Sequence, residues 1–127
     1  MPSPYRAPEV VADSPARLDN PQAADVFSAG VVLFVMIFGV PPFRSASLSD
    51  PHYIHFVHDN EYFWNLFKTP AISKDLKDMI NHLLDHDMTT RATLNQIKTL
   101  PWFTNQVMTR RMAQAAMRRM HVPYVHP

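Results

Sequence analysis

The clearest feature in the pattern of hydrophobic and polar positions is a nearly unbroken apolar run over Val26–Val40, which contains a single polar side chain. Pro21 stands where a helix could begin, and Asp25 lies in its opening turns, where an acid suits the helix dipole. Gly39 and the proline pair after it end the helix. A membrane span needs about 20 such residues, and this run is shorter. The pattern therefore predicts a central helix that is buried on every side inside a domain.

Two further helices are predicted from apolar positions at helical spacing. Ser73 is the predicted N-cap of the first, and its apolar stripe consists of Leu76, Met79, Ile80, Leu83 and Leu84. The second is short and runs over Thr93–Thr99, with Leu94 and Ile97 pointing inward. The string Pro101–Phe103 is predicted to close it.

The other segments are characterised by prolines, aromatic residues and methionines. Prolines interrupt residues 1–21, so this stretch is predicted to be irregular, with one short helical turn after Pro8. The middle segment is predicted to be helical after a loop at Ser47–Asp50, and its large side chains are His52, Tyr53, Phe56, Phe63, Trp64 and Phe67. A last helix is predicted from Thr104 onward, with one side formed by Met108, Met112, Ala115 and Met120. No window alternates with period two, so the predicted fold class is all-α.

Composition narrows the classes of function. A length of 127 residues suits one domain, and 46% hydrophobic with 18% charged residues is typical of a globular protein. The absence of cysteine excludes disulfides, thiolate zinc sites and cysteine nucleophiles. Two glycines are too few for a glycine-rich phosphate loop. A net charge of +1 gives no overall field that would recruit nucleic acid or a membrane. The first residues do not form a secretory or transit leader, so we expect an intracellular, cytoplasmic protein.

Three separated strings resemble motifs of the protein kinase family. Tyr5, Ala7 and Pro8 belong to YRAPE, which resembles the Y-x-A-P-E motif at the end of the kinase activation segment. The string DVFSAG, which includes Gly30, and the later PPF resemble the D-x-W-S-x-G and PPF of the kinase F helix. The string LL, the later RAT and the final PWF resemble the last helices of the family. The resemblance covers residues 5–103. It implies the C-terminal, large lobe of the kinase fold in truncated form, as a partial kinase domain over 1–103. The residues after it, 104–127, are predicted from their own pattern to form a basic amphipathic helix and tail.

Several details are most similar to the calcium/calmodulin-dependent and SNF1-related Ser/Thr kinases. GVPPF, FWNLF and the PWF ending fit that group. Four residues depart from its pattern. Arg6 is more usual in cyclin-dependent-type kinases, Phe27 replaces a tryptophan, Met88 replaces a proline, and Leu100 replaces a histidine.

The resemblance also implies roles for individual residues. In kinases the residues matching Glu9 and Arg91 form a buried ion pair, which suits the planar, bidentate guanidinium. The residue matching Asp25 accepts hydrogen bonds from the catalytic loop, and those matching Val32 and Met36 support the hydrophobic spine below the adenine. Without the resemblance, Glu9 and Arg91 read equally well as unrelated surface charges.

The residues that perform phosphoryl transfer are not found in this sequence. Transfer requires a phosphate-covering loop, a strand lysine, a catalytic aspartate, an asparagine and a magnesium-binding aspartate. No H-R-D or D-F-G string occurs; the nearest are His58-Asp59-Asn60 and Ile37-Phe38-Gly39. We therefore assign no catalytic, cofactor-binding or metal-binding residue. The full-length family uses ATP and magnesium, and neither is expected to bind this chain alone.

Two functions remain open at this point. In the first, the chain is part of a Ser/Thr kinase whose full-length form transfers phosphate from ATP to protein Ser or Thr. In the second, it is a non-catalytic module, similar to a pseudokinase, that keeps a docking surface around Tyr62–Phe67. Protein substrates or regulatory proteins are the expected partners in both, without nucleic acid and without a transmembrane segment.

The spacing of the histidines suggests a third type of site, a metal site. His52, His55 and His58 recur every third residue, and His82 and His86 are four apart with Asp85 and Asp87 beside them. Such spacing occurs in metal sites, but it occurs equally on solvated helix surfaces. A Ser-His-Asp triad could be assembled from the composition, but no G-x-S-x-G nucleophile motif supports one.

The C-terminal helix carries its own charge pattern. Residues 104–127 contain four arginines and no acid and so carry +4, which leaves −3 on the remainder. A basic, methionine-lined helix could bind a calmodulin-type protein weakly, lie on a membrane surface, or pack against its own lobe.

Overall fold

The structure of the protein is a computed structural model that describes residues 3–105. All the secondary-structure elements within that range are helices, which confirms the all-α class. The elements in chain order are α1 (Pro8–Val11), a 3-10 helix (Pro15–Leu18), α2 (Pro21–Phe38), α3 (Pro51–His58), α4 (Asn60–Asn65), α5 (Lys74–Leu83), α6 (Leu94–Ile97) and α7 (Pro101–Asn105). Beyond the end of α7, the basic C-terminal helix predicted by the sequence lies outside the described residues.

Helix α2 has the ends that its sequence predicts. Pro21 occupies its first turn, where the missing backbone N–H costs nothing. Gly39 ends it in the left-handed conformation with φ 78°, and the Gly39 N–H donates to the Val35 carbonyl at 2.8 Å. A side chain would be strained at that φ, so glycine suits the position.

The burial of α2 is one-sided, and the prediction that it is buried on every side is wrong for the described residues. Its buried residues are Ala23, Val26, Phe27, Gly30, Val31 and Phe34. Ala29, Val32 and Met36 are only half-buried. They belong to neither of the hydrophobic clusters formed by the described residues. The helix was expected to be covered throughout because its sequence is apolar throughout, but the chain described here packs against one side.

Length and composition alone would allow α2 to cross a membrane, since its 18 residues have a mean hydropathy of 1.7. Its position between packed helices is that of a core helix, which passes the same test.

Helix α5 lies directly against α2, and Gly30 allows the close approach. A Cβ added at Gly30 would lie 2.8 Å from Leu83 Cβ and 2.8 Å from Leu84 Cδ2. The predicted stripe of α5 is buried as expected, with Leu76, Met79, Ile80, Leu83 and Leu84 all in the core. The Ser73 hydroxyl accepts the Leu76 N–H at 3.2 Å, which confirms the predicted N-cap.

The aromatic middle segment forms the opposite wall of the core around Phe34. The Phe34 ring lies within 4.9–6.1 Å, centroid to centroid, of the rings of Phe63, Trp64 and Phe67. Helices α3 and α4 carry this wall, and α3 begins where the loop over residues 47–50 ends.

Helix α6 differs from its prediction in one side chain. Thr93 and Gln96 form a capping box, and Ile97 is buried as predicted. Leu94 was predicted to point inward, but it is 67% exposed because it occupies the first turn of a four-residue helix whose inner face is supplied by Ile97. The string Pro101–Phe103 does not simply close α6, since it forms the first residues of α7, and Trp102 contacts both hydrophobic clusters.

Candidate functional site: a buried carboxylate–guanidinium tether

Glu9 is placed by the local structure of the YRAPE string. Ala7 is extended, with φ −64° and ψ 154°, and Pro8 occupies the first turn of α1. This geometry turns Glu9 inward, and the residue is only 8% exposed. The Ser28 hydroxyl donates to the Tyr5 carbonyl at 2.7 Å, which joins the same segment to α2.

Arg91 is placed by a hydrogen-bonded turn between α5 and α6. The Arg91 N–H donates to the Asp87 carbonyl at 2.9 Å. The Asp87 carboxylate accepts the Thr89 hydroxyl and N–H at 2.6 and 2.9 Å, and these hydrogen bonds lower the pKa of Asp87. The side chains of Asp87 and Thr89 therefore fix this turn.

The two side chains meet in a bidentate ion pair. Arg91 Nη1 donates to Glu9 Oε2 and Nη2 donates to Glu9 Oε1, each at 2.8 Å. The residues are 82 positions apart in the sequence, and Arg91 is only 3% exposed. Two parallel N–H···O bonds of this length give both strength and a fixed geometry.

The rest of the guanidinium is also occupied. Arg91 Nε donates to the Asp85 carbonyl at 2.8 Å, and Nη1 donates to the Ala23 carbonyl at 2.9 Å. The guanidinium carbon lies 5.1 Å from the centroid of the Phe27 ring. The Phe27 ring therefore packs against the Arg91 guanidinium in this chain, although the kinase pattern has tryptophan at its position. Arg91 thus joins α1, the first turn of α2, and the end of α5 at one point.

The electrostatics favour the ionised pair. Burial alone would raise the pKa of the Glu9 carboxyl, but hydrogen bonds from Arg91 and its positive charge outweigh burial. The net pKa of Glu9 lies below its ordinary value. No buried side-chain nitrogen or oxygen among the described residues lacks a hydrogen-bond partner, so the site contains no orphaned charge. With the Arg91 donors engaged, the site joins α1, α2 and the segment after α5.

The other residues singled out by the kinase resemblance lie elsewhere on α2. Gly30 is buried at the contact with α5. Asp25 is exposed on the first turns of α2, and Val32 and Met36 are half-buried on the same side of the helix. The structure does not bring these three residues to the Glu9–Arg91 pair.

Two polar links were missed by sequence reasoning. The Tyr53 hydroxyl, in a fully buried side chain, is hydrogen-bonded to His86 Nδ1, and burial raises the pKa of Tyr53. The Asn81 side chain accepts hydrogen bonds from Asn60 at 3.1 Å and from Trp64 Nε1 at 3.0 Å. Both links join residues far apart in sequence, so no local spacing could have revealed them.

A third missed residue had a local signal. The Asp50 carboxylate caps α3 by accepting the N–H groups of His52 and Tyr53, and it also accepts those of Arg44 and Ser45. Asp followed by Pro is a typical start of a helix, so the D-P dipeptide at residues 50–51 could have identified the cap.

The histidines are used separately. His82 Nδ1 lies 2.6 Å from the Asp78 carbonyl oxygen, while His86 is bonded to Tyr53. Within residues 3–105, no group of three His, Cys, Asp or Glu side chains is arranged to hold a metal ion.

Comparison with known proteins agrees with the geometry. The pattern of the protein kinase domain matches residues 2–103. The chain is 35% identical over 99 residues to the SNF-related serine/threonine-protein kinase of Homo sapiens. It is 38% identical over 104 residues to the serine/threonine-protein kinase chk-1 of Caenorhabditis briggsae, and 35% identical over 101 residues to the calcium-dependent protein kinase SK5 of Glycine max.

These matches cover 77%, 80% and 80% of this chain but only 12%, 20% and 18% of the three relatives, in the same order. The chain thus spans a small part of the length of each kinase that it resembles. The kinase motifs predicted from the sequence, the all-helical fold and the match over residues 2–103 all agree. The chain belongs to the protein kinase domain family.

Proposed function

We propose that residues 1–103 form the C-terminal-lobe portion of a Ser/Thr protein kinase domain, and that residues 104–127 form a separate basic segment. The whole protein would transfer the terminal phosphoryl group of ATP to Ser or Thr of protein substrates. The observation that carries this proposal is the buried Glu9–Arg91 pair. It joins the end of the activation-segment motif to the last helices, as the family resemblance implies.

The part of this chain in that activity is positional. Phosphoryl transfer depends on holding the substrate and the activation segment in place rather than on covalent chemistry by the protein. Arg91 fixes the end of the activation segment through Glu9 and fixes α2 through the Ala23 carbonyl. Ser28 adds a second connection through the Tyr5 carbonyl. These contacts hold the end of the activation segment rigidly against α2, so that a substrate-binding segment can pack on it.

The residues of this chain do not fit ATP or magnesium. Among the 127 residues there is no glycine-rich loop, H-R-D or D-F-G string. The described residues also contain no acidic or histidine cluster suited to a metal. No catalytic step is therefore assigned to this chain. The proposal places the whole protein in the cytoplasm, because transfer from ATP draws on the nucleotide pool of the cell interior.

A non-catalytic role in binding partner proteins is the second candidate, and one surface favours it. Tyr62 on α4 is 47% exposed, Leu66 at the C-cap of α4 is 46% exposed, and Ile54 of α3 is also exposed. The docking surface expected around Tyr62–Phe67 is smaller than that range suggests, because Phe63 and Trp64 are buried in the core.

A chimeric kinase tests the proposal. Residues 2–103 replace the matching segment of the human SNF-related kinase, and phosphate transfer from radiolabelled ATP to a Ser/Thr peptide is measured. We expect a folded, active chimera, because residues 2–103 supply the helices that support the activation segment and the host supplies the ATP site. The matched variants are Arg91→Ala and Arg17→Ala, since Arg17 is a half-buried arginine whose partner Asp13 is exposed. We expect Arg91→Ala to abolish activity and Arg17→Ala to retain it.

The contrary outcome is equally clear. A chimera that is folded by circular dichroism and binds ATP, yet transfers no phosphate, would favour the non-catalytic module. The coding sequence upstream of Met1 provides an independent test. An in-frame H-R-D and D-F-G would support the kinase, and a stop codon without them would support the module.

A further inference from the structure

The hydrogen bond between Tyr53 and His86 joins a fully buried side chain to an exposed residue. Tyr53 of α3 is 0% exposed, and its ring packs edge to face on the Phe43 ring at 4.8 Å between centroids. The Tyr53 hydroxyl lies 2.5 Å from Nδ1 of His86, which is exposed in the loop after α5. The imidazole can therefore exchange a proton with solvent while it is bonded to a hydroxyl of the core.

The donor in this hydrogen bond is the tyrosine. Burial raises the pKa of the Tyr53 hydroxyl, so this group keeps its proton at neutral pH. Among residues 3–105, His86 Nδ1 is the only acceptor within hydrogen-bond distance of that hydroxyl. A buried O–H without an acceptor is costly. Nδ1 therefore accepts, and the neutral imidazole carries its own proton on Nε2.

Protonation of the imidazole removes this acceptor. An imidazolium has an N–H on both ring nitrogens, so the Nδ1–H and the Tyr53 O–H would point at each other. The hydroxyl can turn to accept from Nδ1–H, but its own proton then has no acceptor within the described residues. Imidazole is the side chain that ordinarily changes charge between about pH 5 and 8. The hydrogen bond is therefore expected to respond to pH in that range.

Charged groups on α1 and on the loop after α5 act on this link. The carboxylates of Glu9 and Asp87 interact with the charge of His86. Asp85 and Arg91 act on its tyrosine partner. The carboxylates attract a proton to the imidazole, and the positive charge of Arg91 opposes it. The His86 carbonyl also accepts from Arg91 Nη2 at 3.5 Å, so His86 connects α3 to the residue that holds the ion pair.

We propose that His86 forms a pH-sensitive link between α3 and the loop after α5. With a neutral imidazole, the Tyr53 hydroxyl holds α3 to the loop that carries Arg91. With a charged imidazole, the buried hydroxyl loses its acceptor, and α3 separates from that loop more often. Ile54 of α3 and Tyr62 of α4 are exposed, so acid would loosen the surface that carries them. The inference does not depend on whether the whole protein is an active kinase.

Hydrogen exchange of the α3 amides tests the proposal in the 127-residue chain. Protection is measured by mass spectrometry at about pH 8 and about pH 5, between which histidine changes charge, and is corrected for the intrinsic exchange rate at each pH. In the native chain we expect the protection of α3 to fall about tenfold in acid, because the buried hydroxyl is left unpaired. Equal protection at the two pH values would overturn the proposal.

Two variants and a matched control separate this link from other titrating groups. His86→Gln cannot take up a proton, and Tyr53→Phe has no hydroxyl that could lose its partner. We expect each of them to show the same α3 protection at both pH values. His82→Gln removes an exposed histidine that is bonded to the Asp78 carbonyl of its own helix, and it should keep the native fall. A fall of native size in His86→Gln, or no fall in His82→Gln, would contradict the proposal.

A second measurement needs no variant. At about pH 8, where an ordinary imidazole is neutral, nitrogen-15 NMR should show His86 with a proton on Nε2 and none on Nδ1. A neutral ring with its proton on Nδ1 would contradict the assignment of Tyr53 as the donor and would overturn the proposal. So would a His86 ring that is already charged at that pH.

Discussion

Two regions of α2 are singled out by the same family resemblance, and they differ in completeness. At its first turn, the Ala23 carbonyl and the Phe27 ring take part in the Glu9–Arg91 site, whose buried polar groups all have partners. Along its other side, the stripe of Asp25, Val32 and Met36 lies outside both hydrophobic clusters of the described residues, with Asp25 exposed and the other two half-buried. The resemblance assigns both regions contacts with distant segments, but only the first region has such partners among residues 3–105.

The two regions differ in whether the residues that contact them belong to the described chain. The ion pair needs only Glu9 and Arg91, which are both present, and it closes with two 2.8 Å hydrogen bonds. The resemblance implies that the residue matching Asp25 contacts the catalytic loop and that those matching Val32 and Met36 support the hydrophobic spine, and no H-R-D string of such a loop occurs in the 127 residues. Substitutions should therefore be severe at the first region and mild at the second.

The largest effect is expected for Arg91→Ala. Its loss leaves the buried Glu9 carboxylate without its partner, and breaking a buried pair in this way costs about 3–5 kcal/mol. Chemical denaturation of the chimeric domain measures the change in the free energy of unfolding. Arg17→Ala is the control, because Arg17 forms a partly exposed pair with Asp13 and such pairs contribute about 0–1 kcal/mol. Similar losses in both variants would remove the distinction between the two sites.

Gly30→Ala should have the next largest effect, about 1–3 kcal/mol, because the added methyl overpacks the contact with α5. The nearest atoms would be Leu83 Cβ and Leu84 Cδ2, each at 2.8 Å. Gly39→Ala is the comparison, since no atom lies within 4 Å of an added Cβ there and only its positive φ opposes the change. Thermal melts should place Gly30→Ala below Gly39→Ala. The reverse order would show that α5 and α2 are not packed as closely as described.

Acid should weaken the Glu9–Arg91 tether. The pKa of Glu9 is lower in the folded protein than its ordinary value of 4.5. The stabilisation from Glu9 is therefore complete above the unfolded pKa and is lost as pH falls through the folded one. Unfolding measured from neutral pH into the acid range should show this loss in the native chain and a flatter dependence in Glu9→Gln. Parallel curves for the two proteins would exclude Glu9 as the titrating group.

The elements that were predicted correctly depend on local signals. Pro21, Gly39 and Ser73 each set a helix end through their own backbone or side chain, and the structure places those ends there. The predicted burial of α2 on every side was wrong. An apolar sequence shows that a helix surface favours burial, but it does not show whether other residues pack against that surface. The prediction that Leu94 points inward was wrong for a related reason. A four-residue helix buries too little of its surface for every apolar residue to point inward.

The candidate site was predictable only in part. Glu9 and Arg91 could be paired because each belongs to a recognisable family string. The additional acceptors of Arg91 are the carbonyls of Ala23 and Asp85, and a backbone carbonyl leaves no trace in the residue type. The link between Tyr53 and His86 was missed because it depends on how α3 and the loop after α5 are placed in three dimensions.

The smallest effect is expected for Asp25→Asn. The residue is exposed, and surface substitutions of this kind change stability by about 0.5 kcal/mol or less. Denaturant titration of the native chain and the variant provides the measurement. A loss as large as that of Arg91→Ala would mean that Asp25 has a buried partner and is not the exposed residue described.

The central claim is that Glu9 and Arg91 act as one buried unit, and a double-mutant cycle tests it most directly. The free energy of unfolding of the chimeric domain is measured for Glu9→Ala, Arg91→Ala and the double variant, with Arg91→Lys as a fourth protein. We expect the double variant to lose less than the sum of the single losses, with a coupling of about 1–3 kcal/mol, because no orphan charge remains. Arg91→Lys should also be destabilised, since an ammonium group cannot form the bidentate pair. Additive losses below about 1 kcal/mol, the size typical of exposed ion pairs, would contradict the claim.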